Sequence, residues 1–182
     1  MISYTDQDRA YDGLLVTLAR GGDQRAAERL AARWYPRLRR TAHRILRNAD
    51  QADDAVQDAW SGICRGWLSL SDPDRFGGWA YRVLQRKCTD RIRSAIRERD
   101  RTEPLPEFNE ASTVCDYDAP VALQQAFDAL SPDHRFAAIL YFVEGHSLQD
   151  VAQACDVPLG TAKSRIFHAR KHMKLILKGD ES

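Results

Sequence analysis

Residues 147–177 read SLQDVAQACDVPLGTAKSRIFHARKHMKLIL, and this stretch decides the fold. Ser147 followed by Asp150 has the form of a capping box, in which the hydroxyl accepts from the Asp150 amide while the carboxylate reaches back. Leu148, Val151 and Ala152 give the short helix that follows an inner face. Asp156-Val157-Pro158-Leu159-Gly160 supplies a break, because Pro158 cannot continue a helix and Gly160 relaxes the backbone. Thr161 then opens a longer helix whose Ala162, Ile166, Ala169, Met173 and Ile176 recur at helical spacing as a buried seam. Ser164, Phe167, His168 and Lys171 share another face, flanked by Lys163 and Arg165. Helix, tight turn and a second helix with an exposed basic face is a geometry that enters a DNA major groove. Structural αα-hairpins also carry basic faces. Phe167 favours the DNA reading, since an exposed aromatic forgoes burial unless it meets a partner such as a thymine methyl. His168 and His172 lie four apart with no third ligand in sequence reach, so no metal site is expected.

Upstream of this hairpin the periodicity is helical as far as about Arg99 and resumes at Val121, and no strand-like alternation of useful length occurs. Gly21-Gly22-Asp23 marks a break with Asp23 as N-cap, followed by Ala27, Leu30, Ala31, Trp34, Leu38, Ala42 and Ile45 at helical spacing. Pro36 is expected to kink or split that helix. A second helix starts near Ala52 with Val56, Trp60, Ile63 and Trp67 as its apolar stripe, and Trp60 and Trp67 are assigned to the core. Leu68–Gly78 (LSLSDPDRFGG) reads as a loop. A third helix runs from about Trp79 towards Arg99 with Val83, Leu84, Cys88, Ile92 and Ile96 inward. Thr102–Pro120 holds three prolines, many acids and little periodicity, and reads as an extended linker. The expected fold is all-α: two small helical domains at 10–99 and 121–178 joined by an acidic tether at 100–120.

The formal net charge of +1 over 182 residues conceals strong segregation. Asp23–Arg47 carries eight arginines against two acids, Asp50–Asp58 four aspartates and no base, and Arg82–Arg101 eight basic residues against three acids. Thr102–Asp128 has six acids and no base, and Lys163–Lys178 six bases and no acid. Blocks of alternating sign read either as solvated helix faces or as surfaces for differently charged partners, with two basic blocks touching one polyanion. No run approaches the ~18 apolar residues of a membrane span. No secretory signal is visible at the start. The four scattered cysteines form no CxxC pair, which fits a reducing cytoplasm and neither a disulfide framework nor a zinc knuckle.

Several segments together resemble a known family. VPLGTAKSRIFHARKHMKLIL, preceded by EGHSLQDVAQACD and ALSPDHRFAAILYFVEG, resembles region 4 of the extracytoplasmic-function (ECF, group IV) sigma factors of bacterial RNA polymerase, members of the sigma-70 family. NADQADDAVQDAW resembles their region 2.2, and RFGGWAYRVLQRKCTDRIR their regions 2.3 and 2.4. The likeness spans about Leu14–Leu177 in the family's order. It implies a non-catalytic, cytoplasmic promoter-specificity subunit without cofactor or metal, whose partners are core RNA polymerase, promoter DNA and an anti-sigma factor, with no direct membrane insertion.

Residue by residue, the resemblance places Asp54, Gln57 and Asp58 on the surface that docks on the polymerase clamp helices, and the first and last of these share a helix face at four-residue spacing. It gives Arg75, Trp79, Arg82, Arg86, Lys87 and Arg91 to the −10 element, where an unstacked non-template base is captured. Extruding a base costs a few kcal/mol, and stacking plus cations on the phosphates offset that. Trp79 and Tyr81 are candidates for stacking, with core packing the alternative for Trp79. Lys163, Ser164, Phe167, His168 and Lys171 fall to the −35 element, with Thr161 and Arg165 on phosphates. Arg86 stands where many members carry Asn, and His168 where many carry Arg. The tether, in the same likeness, threads towards the basic active-site cleft of the polymerase. Two rival classes are a helix-turn-helix regulator independent of polymerase, which leaves Asp54, Gln57 and Asp58 without a role, and a DNA-processing hydrolase, for which no nucleophile–base pair, metal triad or glycine-rich cradle is present.

Overall fold

The computed structural model describes residues 4–101 and 121–179, and among them there are helices and turns but no strand. The elements are α1 (Asp6–Arg20), α2 (Gln24–Leu46), α3 (Ala49–Gly66), α4 (Phe76–Arg101), α5 (Val121–Asp128), α6 (Pro132–Ala138), α7 (Leu148–Cys155) and α8 (Leu159–Gly179). Short 3₁₀ turns occupy Trp67–Ser69 and Pro73–Arg75, and α6 runs on into a π-helical turn, Ile139–Val143. The expected acidic tether at 102–120 lies outside the described residues.

The chain forms two compact units that interleave along the sequence. One takes residues 4–14, 72–82 and 121–179 of the described chain, the other 15–71 and 83–101.

In the second unit α2 and α3 pack as an antiparallel-style hairpin held by local signals at both ends. The Asp23 carboxylate accepts from the Ala26 amide at 3.1 Å, and α2 stops where Arg47 takes a left-handed conformation, φ 57°. Asn48 then caps α3 by accepting from the Gln51 amide at 2.9 Å. Leu30, Trp34, Leu38 and Ala42 of α2 meet a seam of Ala52, Val56, Ala59 and Ile63, all fully buried. That burial carries α2 through Pro36 as one unbroken helix, so the chain is not split there. Trp60 and Trp67, expected in the core, are only half-buried, because the small residues Ala52, Ala55 and Ala59 line the seam and leave the indoles at its rim. Ile96, expected inward, is 52% exposed near the end of α4. Arg20 donates to the carbonyls of Trp67 (3.0 Å) and Leu70, fastening the 3₁₀ turn to α1.

In the first unit α5, α6 and α8 enclose Ala126, Leu130, Ala138, Ala169 and Met173, with Phe127, Phe142 and Ile176 packed against them. Arg135, 8% exposed, donates to the carbonyls of Phe127 (3.0 Å), Asp128 (2.8 Å) and Leu130 (3.1 Å), satisfying the end of α5. The capping box at α7 forms as its sequence implies. The Asp150 amide donates to Ser147 Oγ at 3.2 Å, and the Ser147 amide donates to the Asp150 carboxylate at 3.2 Å. The break between α7 and α8 is shorter than expected. Asp156 ends α7 in a left-handed conformation, φ 54°, and α8 opens already at Leu159, so Gly160 and Thr161 lie inside its first turn. Pro158 explains this, because proline is accepted at a helix start, where its missing N–H goes unused.

The same unit includes the start of α4. Tyr4 and Tyr81 flank the buried His146 ring, with centroids at 4.5 and 5.0 Å. Gly78 lies so close to α7 that a Cβ there would stand 3.0 Å from Gln153 Oε1, and a Cβ on Gly13 would strike the Asp74 carboxylate.

Candidate nucleic-acid and protein interfaces

Asp54, Gln57 and Asp58 come together on the solvent face of α3, all exposed. Opposite them on the helix, Ala52, Ala55, Val56 and Ala59 are buried, and this amphipathic split fixes which way the three polar side chains point. A cation reaches the ridge from α4: Arg91 approaches Asp54 at 3.3 Å and Asp58 at 3.1 Å. Arg91, expected among the −10 cations, is thus engaged by the acid ridge, and nothing in its sequence neighbourhood signals a contact 33 and 37 residues away. Asp53, not singled out in the sequence, accepts from Arg39 at 2.7 and 3.0 Å and lies 2.8 Å from His43 Nε2. The Arg39 and His43 hydrogen bonds hold its carboxyl at about 2, well below the usual range.

The −10 candidates divide. Arg75 is exposed and paired with Asp72 at 3.2 Å, in the 3₁₀ turn that Asp72 caps. Trp79 is half-buried with its ring 6.0 Å from Phe76, which leaves part of the indole at the surface. Tyr81 is fully buried and cannot stack on a base. It falls on the inner face of α4 with Ala80, Leu84 and Cys88. Arg82 is held by Asp156 at 2.6 Å. Arg86 is exposed and Lys87 half-exposed.

On α8 the seam is as expected, with Ala162 and Ala169 fully buried and Ile166 and Met173 nearly so. Thr161, Lys163, Ser164, Phe167, His168 and Lys171 are exposed on its other faces, Phe167 at 63%. The rings of Phe167 and His168 meet edge-on at 5.5 Å. Arg165, given to phosphate contact by the resemblance, donates instead to Asp133 at 2.6 Å, with its side chain only 19% exposed. It borders the seam, so its guanidinium staples α8 to the start of α6.

Among the described residues, no group of three His, Cys, Asp or Glu side chains is placed to hold a metal. Cys64, Cys88 and Cys155 are free thiols, and burial pushes Cys88 up to about 12 and Cys155 to about 11. Neither is primed for nucleophilic chemistry, which needs a depressed thiol. No described helix is long and apolar enough to cross a membrane.

Residues 30–98 match Sigma-70 region 2, and residues 121–173 match Sigma-70, region 4. The ECF RNA polymerase sigma factor SigM of Mycobacterium tuberculosis (strain H37Rv) is 30% identical over 167 residues, covering 91% of this chain and 84% of SigM. The structure of CnrH in complex with the cytosolic domain of CnrY superposes with a TM-score of 0.69 at 25% identity, over 93% of this chain and 99% of that one. The sigma factor RpoE in complex with the anti-sigma factor NepR from Bartonella quintana gives 0.65 at 26% identity, over 83% and 96%.

Proposed function

This chain belongs to the ECF RNA polymerase sigma factors of the sigma-70 family, and from that premise we propose how its residues divide the work of promoter selection. As a sigma factor it binds core RNA polymerase, directs it to promoters and assists DNA melting. In our reading Asp54, Gln57 and Asp58 dock on the polymerase. The exposed face of α8, from Thr161 to Lys171, enters the major groove of the upstream element. Trp79 with Arg75, Arg82, Arg86 and Lys87 meets the opened downstream element. Arg91 clamps the acid ridge, so that its own part is to position Asp54 and Asp58. Arg165 likewise positions α8 rather than touching DNA. The chain supplies no catalytic group, since the chemistry belongs to the polymerase it joins, and it works in the cytoplasm where that polymerase is.

We place it in group IV, on the closeness of the region 2 and region 4 matches, which a short acidic stretch of sequence joins. We also propose control by an anti-sigma factor, because the sigma factor RpoE, of the same fold, is held in complex with the anti-sigma factor NepR.

The observation that carries this reading is the solvent-facing acid ridge on α3. A helix-turn-helix regulator independent of polymerase has no use for it, whereas an arginine-rich docking helix complements it. Capture of core polymerase by the tagged protein tests it. Charge reversal would press new cations against Arg91, so the neutral pair Asp54→Asn with Asp58→Asn is the cleaner variant. It is expected to lose capture by about tenfold or more while melting like the parent. Normal capture by a folded variant would remove the docking assignment.

A further inference from the structure

Arginines from distant segments tie α7 at both ends, and one of these ties has no part in the division of labour above. Near its start, Arg9 of α1 donates to the Asp150 carboxylate at 2.9 Å. At its end, Arg82 of α4 pairs with Asp156 at 2.6 Å. Between them the Gly78 backbone lies against α7, where a Cβ would stand 3.0 Å from Gln153 Oε1 and 3.5 Å from the Asp150 carbonyl. His146, just ahead of α7 and 3% exposed, rests between the rings of Tyr4 and Tyr81. The Tyr4 hydroxyl in turn donates to the buried Asp12 at 2.9 Å, which fixes Tyr4 on its own segment. All these contacts fall inside the first unit.

Residues 4–14 precede both matched regions, whereas Gly78–Arg82 lie in the region 2 match and His146–Asp156 in the region 4 match. The N-terminal segment therefore joins parts of two regions that a promoter-binding chain applies to separate elements. The ties are polar or aromatic in place of interlocked aliphatic side chains, and contacts of that kind within a chain part readily. Arg9 and Arg82 keep 28% and 35% of their side chains exposed, so each ion pair is solvent-screened. Gly78 and Arg82 are four apart and share one face of α4, with Arg86 a turn further on. While α7 lies on that face, its start is shut to nucleic acid.

We propose that residues 4–14 act as a strap that holds α7 over the start of α4 in the free chain, and that releasing α7 opens the Gly78–Arg82 face to the downstream element. The inference rests on the reading of Arg75, Trp79, Arg82 and Arg86 as contacts for that element, and adds how access to them is controlled. DNA phosphates compete with Asp156 for Arg82 and so undo one end of α7 by themselves. The Arg9 tie stands about 9 Å away along the axis of α7, and binding at Arg82 does not dissolve it. Core polymerase supplies the second release by holding the two regions on separate elements. Until then the strap keeps the free chain from stray single strands.

The test uses the full chain, free and reconstituted with core polymerase, and compares the parent with Arg9→Gln and Arg9→Lys. The probe is a fluorescent single-stranded oligonucleotide carrying the non-template strand of a promoter that the parent holoenzyme opens. Removing a cation by itself weakens binding to a polyanion, so charge alone predicts a loss for Arg9→Gln. Free Arg9→Gln is expected instead to bind the probe about threefold to fivefold tighter than the free parent, the scale of one solvent-screened tie. Arg9→Lys keeps the charge and binds like the parent. With core polymerase the three proteins bind the probe equally, because the strap is then already released. A free Arg9→Gln that binds no tighter overturns the proposal, and so does a gain that is as large in the holoenzyme. A separate variant, Arg75→Gln with Arg86→Gln, tests the reading beneath it. Unchanged probe binding by that holoenzyme overturns the downstream assignment, whatever Arg9→Gln does.

Discussion

Phe167 shows how a single side chain separates fold from function. It is 63% exposed on a helix whose inner seam is complete without it, so its removal takes nothing from the core. Phe167→Ala is therefore expected to shift stability by no more than about 0.5 kcal/mol. Against DNA it forfeits an apolar contact, and initiation at promoters with the upstream element should fall about fivefold, at the lower edge of the cost of one wrong base pair. Run-off transcription on promoters with and without that element checks this, and equal losses on both would remove Phe167 from base reading. The exposure of Phe167 was legible in the sequence because its helical phase sets it off the seam. The engagement of Arg165, Arg82 and Arg91 was not. Each is an arginine in a basic block, and which of these reaches solvent and which finds an acid is decided by partners 32, 74 and 33 residues away, at Asp133, Asp156 and Asp58.

At the scale of the element, α7 was read most fully, because a capping box is a local device that needs only four residues. Its acid nevertheless does more than the motif requires. Asp150 also accepts from Arg9 at 2.9 Å and lies 3.9 Å from His146 Nδ1. Burial pushes its carboxyl up, but His146, the Ser147 hydroxyl and the Arg9 guanidinium outweigh that and hold it at about 2. A carboxyl depressed on folding contributes stability above its unfolded value near pH 4 and loses it as the pH falls through 2. The contribution amounts to ~2 kcal/mol at neutral pH. Asp150→Asn should lower the urea midpoint by the corresponding amount at pH 7, and the two proteins should converge as the pH approaches 2. A gap that stays constant down to pH 2.5 would mean that the loss comes from shape and not from charge. By contrast α2 is not split at Pro36, since a breaker rule speaks only for the backbone and the seam on either side of the proline keeps the helix in one piece. α1 carried no signal of its own, its first turns being polar and its close approach to Asp74 depending on Gly13.

For the whole molecule, the all-α class and the order of α2, α3, α4, α7 and α8 followed from periodicity, while the grouping of the helices did not. The unit that contains α8 also takes residues 4–14 and 72–82, and helical phase carries no information about such long-range partners. This grouping has a functional consequence. Arg82, a candidate for the opened downstream element, donates to Asp156 in the turn between α7 and α8 at 2.6 Å, and it cannot serve a phosphate while it does so. The two side chains are 35% and 56% exposed, so the tie is solvent-screened and worth at most about 1 kcal/mol. DNA must displace it. Asp156→Asn keeps a residue that tolerates the left-handed conformation at that position while removing the charge. It is expected to tighten promoter complexes about twofold to fivefold. In a double-mutant cycle Arg82→Ala should cancel the gain, because Asp156 then has no guanidinium to compete for. If Asp156→Asn strengthens binding equally with and without Arg82, the effect is a general loss of repulsion between Asp156 and DNA, and the contact plays no part in promoter binding.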